Sequence, residues 1–173
     1  MMMGIPLQPS PSQWLRSDGA VVQGNSDRLA FAVLANGKDT SRVFEAEASR
    51  LPLSTANRDS VFESVISKQN VQYRDALRKS AKKDDLPSVW PAYTNVISDQ
   101  VGRLWVSLPG ARGEVTRLVV FDRDGLLLGA VPPPSTRMFN HAAWSRDAVA
   151  FLDEDEEGRT VIRVFRLVTA PGK

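Results

Sequence analysis

The sequence predicts an all-β fold, a partial β-propeller of two to three four-stranded antiparallel blades interrupted by one amphipathic helical segment. Three observations predict it. Ser98-Asp99-Gln100-Val101-Gly102-Arg103-Leu104-Trp105-Val106 is a polar turn followed by an apolar strand, and Ser145-Arg146-Asp147-Ala148-Val149-Ala150-Phe151 repeats that shape 47 residues later. A third copy, Ser17-Asp18-Gly19-Ala20-Val21-Val22, precedes the first by 81 residues. Removing a helical stretch of roughly 30 to 35 residues between them restores the same period. A period of about 40 to 50 residues holding several short strands is a propeller signature.

The elements follow in order. Residues 1–11 are rich in Pro, Ser and Gly and read as a loose lead-in. The first blade, 12–49, has strands at Gln13–Arg16, Ala20–Gln23, Arg28–Ala35 and Arg42–Ala48. Asp18-Gly19 and Asn36-Gly37 mark its turns, because Asn and Gly accept the positive φ that a tight hairpin requires. The helical insertion is 54–83. Val61, Phe62, Val65, Ile66, Tyr73, Ala76 and Leu77 recur on one helical stripe. Ser54 or Thr55 supplies an N-cap oxygen, Asn70 is a point of division into two helices, and Pro87 and Pro91 end the element. So narrow a stripe predicts a helix lying on the flank or one face of the blades.

The second blade, 86–134, has strands at Thr94–Ser98, Arg103–Ser107, Thr116–Phe121 and Leu126–Val131, with Asp122-Arg123-Asp124-Gly125 as the last turn. Pro132-Pro133-Pro134 is a stiff crossing to the next blade. The third, 138–169, has strands at Ala142–Ser145, Ala148–Leu152 and Thr160–Val168 and lacks a fourth. A stack that ends this way resembles half of a ring, either a piece of a longer propeller or a protomer that closes a ring by assembly. It leaves a sheet edge and a blade face uncovered.

Composition removes several function classes. The chain has 173 residues, 42% hydrophobic and 24% charged, with a net charge of +2, so no basic nucleic-acid footprint is expected. With no cysteine there is neither a disulfide nor a thiolate metal site. No apolar run is long enough to span a membrane. Met1-Met2-Met3-Gly4-Ile5-Pro6 lacks the basic and apolar regions of a signal peptide, and the compartment stays open.

From Leu86 to Val168 the chain resembles the C-terminal blades of bacterial six-bladed β-propellers of the NHL-like class. The resemblance is carried by Gly102-Arg103-Leu104-Trp105-Val106, by Val119-Val120-Phe121-Asp122-Arg123-Asp124-Gly125-Leu126-Leu127-Leu128-Gly129, and by Val161-Ile162-Arg163-Val164-Phe165-Arg166-Leu167. It implies that Asp122 and Gly125 serve a hairpin turn while alternating apolar residues face neighbouring blades. Charged helical excursions between blades are common in this class, as is export. The resemblance implies little chemistry.

Candidate site residues are few. His141 is the sole histidine, which excludes His-pair metal sites and most triads within one chain. With Arg137 and Asn140 it precedes an innermost strand, where ligands enter closed propellers. Trp90 and Tyr93, flanking Pro91, are the aromatic residues expected at a surface, whereas Trp14, Trp105 and Trp144 read as blade packing. Asp153-Glu154-Asp155-Glu156-Glu157-Gly158 begins like a calcium loop, but Val164 stands where the bidentate Glu is required, so it reads as a solvated hairpin tip. Arg74, Arg78, Lys79, Lys82 and Lys83 form a basic helix patch followed by Asp84 and Asp85, which reads as a solvated face. The expectation is a non-catalytic binding module without cofactor or bound metal. Its partner is a protein, a small molecule or a second copy closing the ring. The alternative is a propeller hydrolase or lactonase with a central metal, toward which Asn95, Asn140 and His141 are the nearest side chains. A third reading is an incomplete gene product.

Overall fold

The computed structural model describes residues 7–35, 37–67, 70–80, 82–111, 114–133 and 142–168. The first sheet holds β1 (Pro11–Leu15), β2 (Val21–Asn25), β3 (Ala30–Ala35) and β4 (Asp39–Glu45). Two helices follow, α1 (Thr55–Ser67) and α2 (Val71–Ser80). The second sheet holds β5 (Asn95–Ser98), β6 (Leu104–Pro109), β7 (Val115–Phe121) and β8 (Leu127–Val131). The third holds β9 (Ala142–Trp144), β10 (Ala148–Glu154) and β11 (Thr160–Arg166). Every sheet is an antiparallel meander in which chain neighbours pair. The chain is therefore predominantly β, and the third sheet has three strands among the described residues.

One turn closes four of the hairpins, and its chemistry is written in the sequence. At Arg16, Asp99, Asp122 and Asp155 the residue donates its N–H to the carbonyl four positions on, and its own carbonyl accepts from the glycine three positions on. Those glycines, Gly19, Gly102, Gly125 and Gly158, have φ of 83°, 82°, 84° and 77°. Glycine adopts this left-handed geometry without a Cβ clash. In the three Asp-x-x-Gly copies the carboxylate also accepts the N–H groups two and four residues ahead, which preorganises the reversal.

Strand register decides which faces meet. In the second sheet Leu104 opposes Phe121 and Val106 opposes Val119, so these four share one face; Trp105 opposes Val120 and Ser107 opposes Leu118 on the other. The first set packs with Val22, Phe31, Val33 and Phe44 of the first sheet. The second set packs with Val149 and Phe151 of the third. This is why Leu118–Phe121 is an unbroken apolar run: both faces of β7 are buried. Phe31, Phe44 and Phe121 interlock at centroid distances of 5.1 to 5.9 Å, and Trp105 meets Trp144 at 4.8 Å. The three sheets thus stack in chain order and in the same sense, the back of one on the front of the next.

Polar clamps tie the turn end of the stack. Arg16, 7% exposed, donates to the Arg123 carbonyl at 2.6 Å and holds Asp18 at 2.5 Å. Arg42 reaches both the carbonyl and the carboxylate of Asp124. Arg103 donates to the Arg146 carbonyl at 2.7 Å, joining the second sheet to the third.

The helical segment has a small core of its own. Ser54 does cap α1, its hydroxyl accepting the Asn57 N–H at 3.2 Å, and Asn70 stands between the two helices. The helices pack on each other and on a 3-10 turn at Lys83–Asp85, and the Asn57 side-chain amide of α1 donates to the Ala111 carbonyl just beyond β6. Phe62, Ile66 and Leu86 form their small core, with Leu77 partly buried. Tyr73 is 57% exposed and Ala76 is also exposed, so only part of the expected stripe is covered. A short ladder, with Leu53 donating to Ser88 and Trp90 to Leu51, fastens the excursion at its base.

Candidate functional site

The described site residues divide sharply from their expected setting. Trp90 and Tyr93 are each 4% exposed, so neither is a surface aromatic. Pro91 suggested a loop, but the segment it begins runs beneath the first sheet, where the Ala92 N–H donates to the Ser26 carbonyl at 2.8 Å. Tyr93 then packs between Phe31, at 5.2 Å, and Trp14, at 6.1 Å. Arg137, Asn140 and His141 lie outside the described residues.

Tyr93 nevertheless borders a cavity. β1 lies against β5, so the first strands of the first two sheets run side by side. Where they begin, at the end of the stack opposite the Asp-x-x-Gly turns of β5–β6 and β7–β8, a cavity of about 360 Å³ opens. Trp14, Tyr93 and Pro91 give it aromatic and apolar wall; Gln8, Ser10, Ser12, Ser26, Thr94 and Asn95 give it hydroxyls and amides. Among the described residues no ionisable side chain other than the Tyr93 phenol lines it. Ser10 and Ser26 fix its lip, the Ser10 N–H donating to the Ser26 hydroxyl at 3.4 Å and the Ser26 N–H to the Ser10 carbonyl at 3.5 Å. Residues 7–11 therefore belong to the fold rather than to a loose lead-in: Leu7 and Gln8 line the cavity and Pro11 opens β1.

Tyr93 stays protonated across the physiological range. Burial, and then the negative charge of Asp27, push its phenol up from 10.0 to about 12. Its buried hydroxyl has no hydrogen-bond partner among the described residues. The hydroxyl sits against Gly24, where a Cβ would come within 2.6 Å of it, so glycine is what allows the tyrosine to enter.

The remaining candidates resolve into structure. Asp155 accepts the Arg159 N–H, the Arg159 guanidinium and the Glu157 N–H, and these, the Arg159 N–H most of all, hold its carboxyl pKa below the usual carboxylate range. The acid run is thus the β10–β11 turn. Arg78 pairs with Glu63 at 3.0 Å across the helices. Among the described residues no group of three His, Asp or Glu side chains is placed to hold a metal ion, and no described helix is long and apolar enough to cross a membrane.

Of the cavity lining, sequence reasoning had singled out Tyr93 and Asn95 and had assigned Trp14 to packing. It missed Ser10, Ser12, Ser26 and Thr94. The available signal was the clustering of small polar residues just before and within the first strand of each of the first two sheets. Comparison with family models, curated proteins and solved structures finds no match.

Proposed function

We propose that the chain contributes three blades of a six-bladed β-propeller and acts as a non-catalytic binding module. The ligand is an uncharged, hydrogen-bonding small molecule of about monosaccharide size, held where β1 and β5 begin. The observation that supports this reading is the cavity itself. Its volume of about 360 Å³ suits a small ligand. Six hydroxyl- or amide-bearing side chains with Trp14 and Tyr93 offer hydrogen bonds and an aromatic wall, without a charge that would demand a counter-ion. The NHL-like resemblance and the same-sense stacking of three meander sheets support the propeller part.

The test is an NMR titration of labelled protein with neutral sugars and polyols, beside sulfate and a dicarboxylate as charged controls. The reading expects saturable shifts of the Trp14 indole N–H and the Asn95 side-chain amide with a neutral sugar or polyol. It expects none with the anions, and Ser12→Leu, which fills the cavity, abolishes the response. Shifts driven by the anions, or none at these residues with any neutral compound, overturn it.

A further inference from the structure

Among the described residues, same-sense stacking leaves two faces without a partner sheet, and they are unlike. One is the front of the first sheet, which carries Leu15, Val21, Leu34 and Val43; Leu15 and Val43, on the two edge strands, are 71% and 64% exposed, while Leu34 on β3 is buried. The other is the back of the third sheet, which carries Ala150, Leu152, Ile162 and Val164. There Leu152, Ile162 and Val164 are 44%, 71% and 65% exposed. On the third sheet these large side chains stand into water on the paired strands β10 and β11, which marks a contact surface rather than scattered exposure.

The molecule already shows what covers such faces. Twice within the chain the back of one sheet receives the front of the next, first Phe31 and Phe44 against Leu104 and Phe121, then Trp105 and Val120 against Val149 and Phe151. The two open faces are of the same two kinds, a front and a back, that meet twice inside the chain, and among the described residues they do not meet each other. A second copy presents both.

We infer that two copies of this chain associate head to tail, the back of the third sheet of each on the front of the first sheet of the other, closing a ring of six sheets. This rests on the blade reading above for the sense of the stack, and it adds the partner. Two identical heterologous contacts form together in such a dimer, and their rotation closes instead of propagating. The cavity between β1 and β5 lies within one chain, so each copy keeps its own.

The experiment is light scattering coupled to size exclusion on the full chain and two surface pairs, Leu15→Lys/Val43→Lys and Ile162→Lys/Val164→Lys. The wild type is expected as one species at twice the chain mass of 19.1 kDa. Each pair is expected to give a monomer with unchanged far-UV circular dichroism, the dissociation constant rising about 100-fold or more. Mixing the two variants restores a dimer, because one retains an intact back and the other an intact front. Should a lysine pair unfold the chain, Leu15→Ser and Ile162→Thr make the same comparison.

A monomeric wild type overturns the inference, as does a ladder of growing masses. So does a dimer broken only by the third-sheet pair, since that reports a back-to-back contact, or a mixture that stays monomeric. Sugar titration of the monomeric variants separates the two proposals. Binding that persists with no wild-type dimer leaves the function standing and removes the assembly; a dimer with no binding does the reverse.

Discussion

Asp99 is the residue whose removal the structure prices most clearly. Its carboxylate is completely buried and accepts from the Val101 N–H at 3.0 Å, the Arg103 N–H at 2.9 Å, the Arg103 Nε at 2.5 Å and the Trp105 Nε1 at 2.9 Å. Asp99→Ala leaves the Trp105 indole N–H without its acceptor inside the second core and the Arg103 guanidinium, 15% exposed, without its counter-charge. Breaking a buried charge pair costs about 3–5 kcal/mol. Asp122→Ala is the control. It occupies the same turn but, among the described residues, accepts only the Asp124 and Leu126 N–H groups, both near water, and its loss costs about 1 kcal/mol. Urea unfolding followed by tryptophan fluorescence reads both. With a slope of about 2 kcal/mol per M, the Asp99→Ala midpoint falls by about 2 M and that of Asp122→Ala by about 0.5 M. Equal, small shifts would refute the argument that burial separates the two copies of the turn.

Two further outcomes follow from single side chains. Tyr93→Phe removes an unpaired buried hydroxyl and raises stability at neutral pH by about 1 kcal/mol. Because the folded phenol is raised from 10.0 to about 12, wild-type stability is full below pH 10 and declines as pH climbs toward 12. That loss is of order 2 kcal/mol, and an alkaline denaturation series should show it in the wild type and not in Tyr93→Phe. Gly125 has φ 84° and its Cβ would fall 2.5 Å from the Phe44 ring, whereas Gly158, at φ 77°, faces open space. Gly158→Ala therefore costs about 1–2 kcal/mol for backbone strain alone. Gly125→Ala adds about 1–3 kcal/mol of overpacking, and matching melting temperatures for the two would contradict the contact with Phe44.

The sheets were legible because their signals are local. Asp-x-x-Gly and Asp-Gly name the turns, and alternation between them names the strands. The unbroken run Leu118–Phe121 announces a strand buried on both sides, and Ser54 announces the start of α1. The helix seat was not legible: the stripe from Val61 to Leu77 says that some apolar partner exists, and the partner is Leu86 and the other helix. Trp90 and Tyr93 were not legible as buried, because Tyr93 packs on Phe31, over 60 residues away in sequence, and Trp90 is fastened to Leu51 by its backbone N–H. The cavity escaped for the same reason. Ser10, Ser12, Thr94 and Asn95 are ordinary residues apart, and only the approach of β1 to β5 gathers them.

Everything here depends on the order and sense of the stack, which long-range nuclear Overhauser contacts between aromatic rings measure directly. The account predicts contacts from Phe44 and Phe31 to Phe121 and from Trp105 to Trp144, joining the first sheet to the second and the second to the third. Direct intramolecular contacts from Phe31 or Phe44 to Phe151, with Phe121 absent from both, would place the first sheet on the third and contradict it.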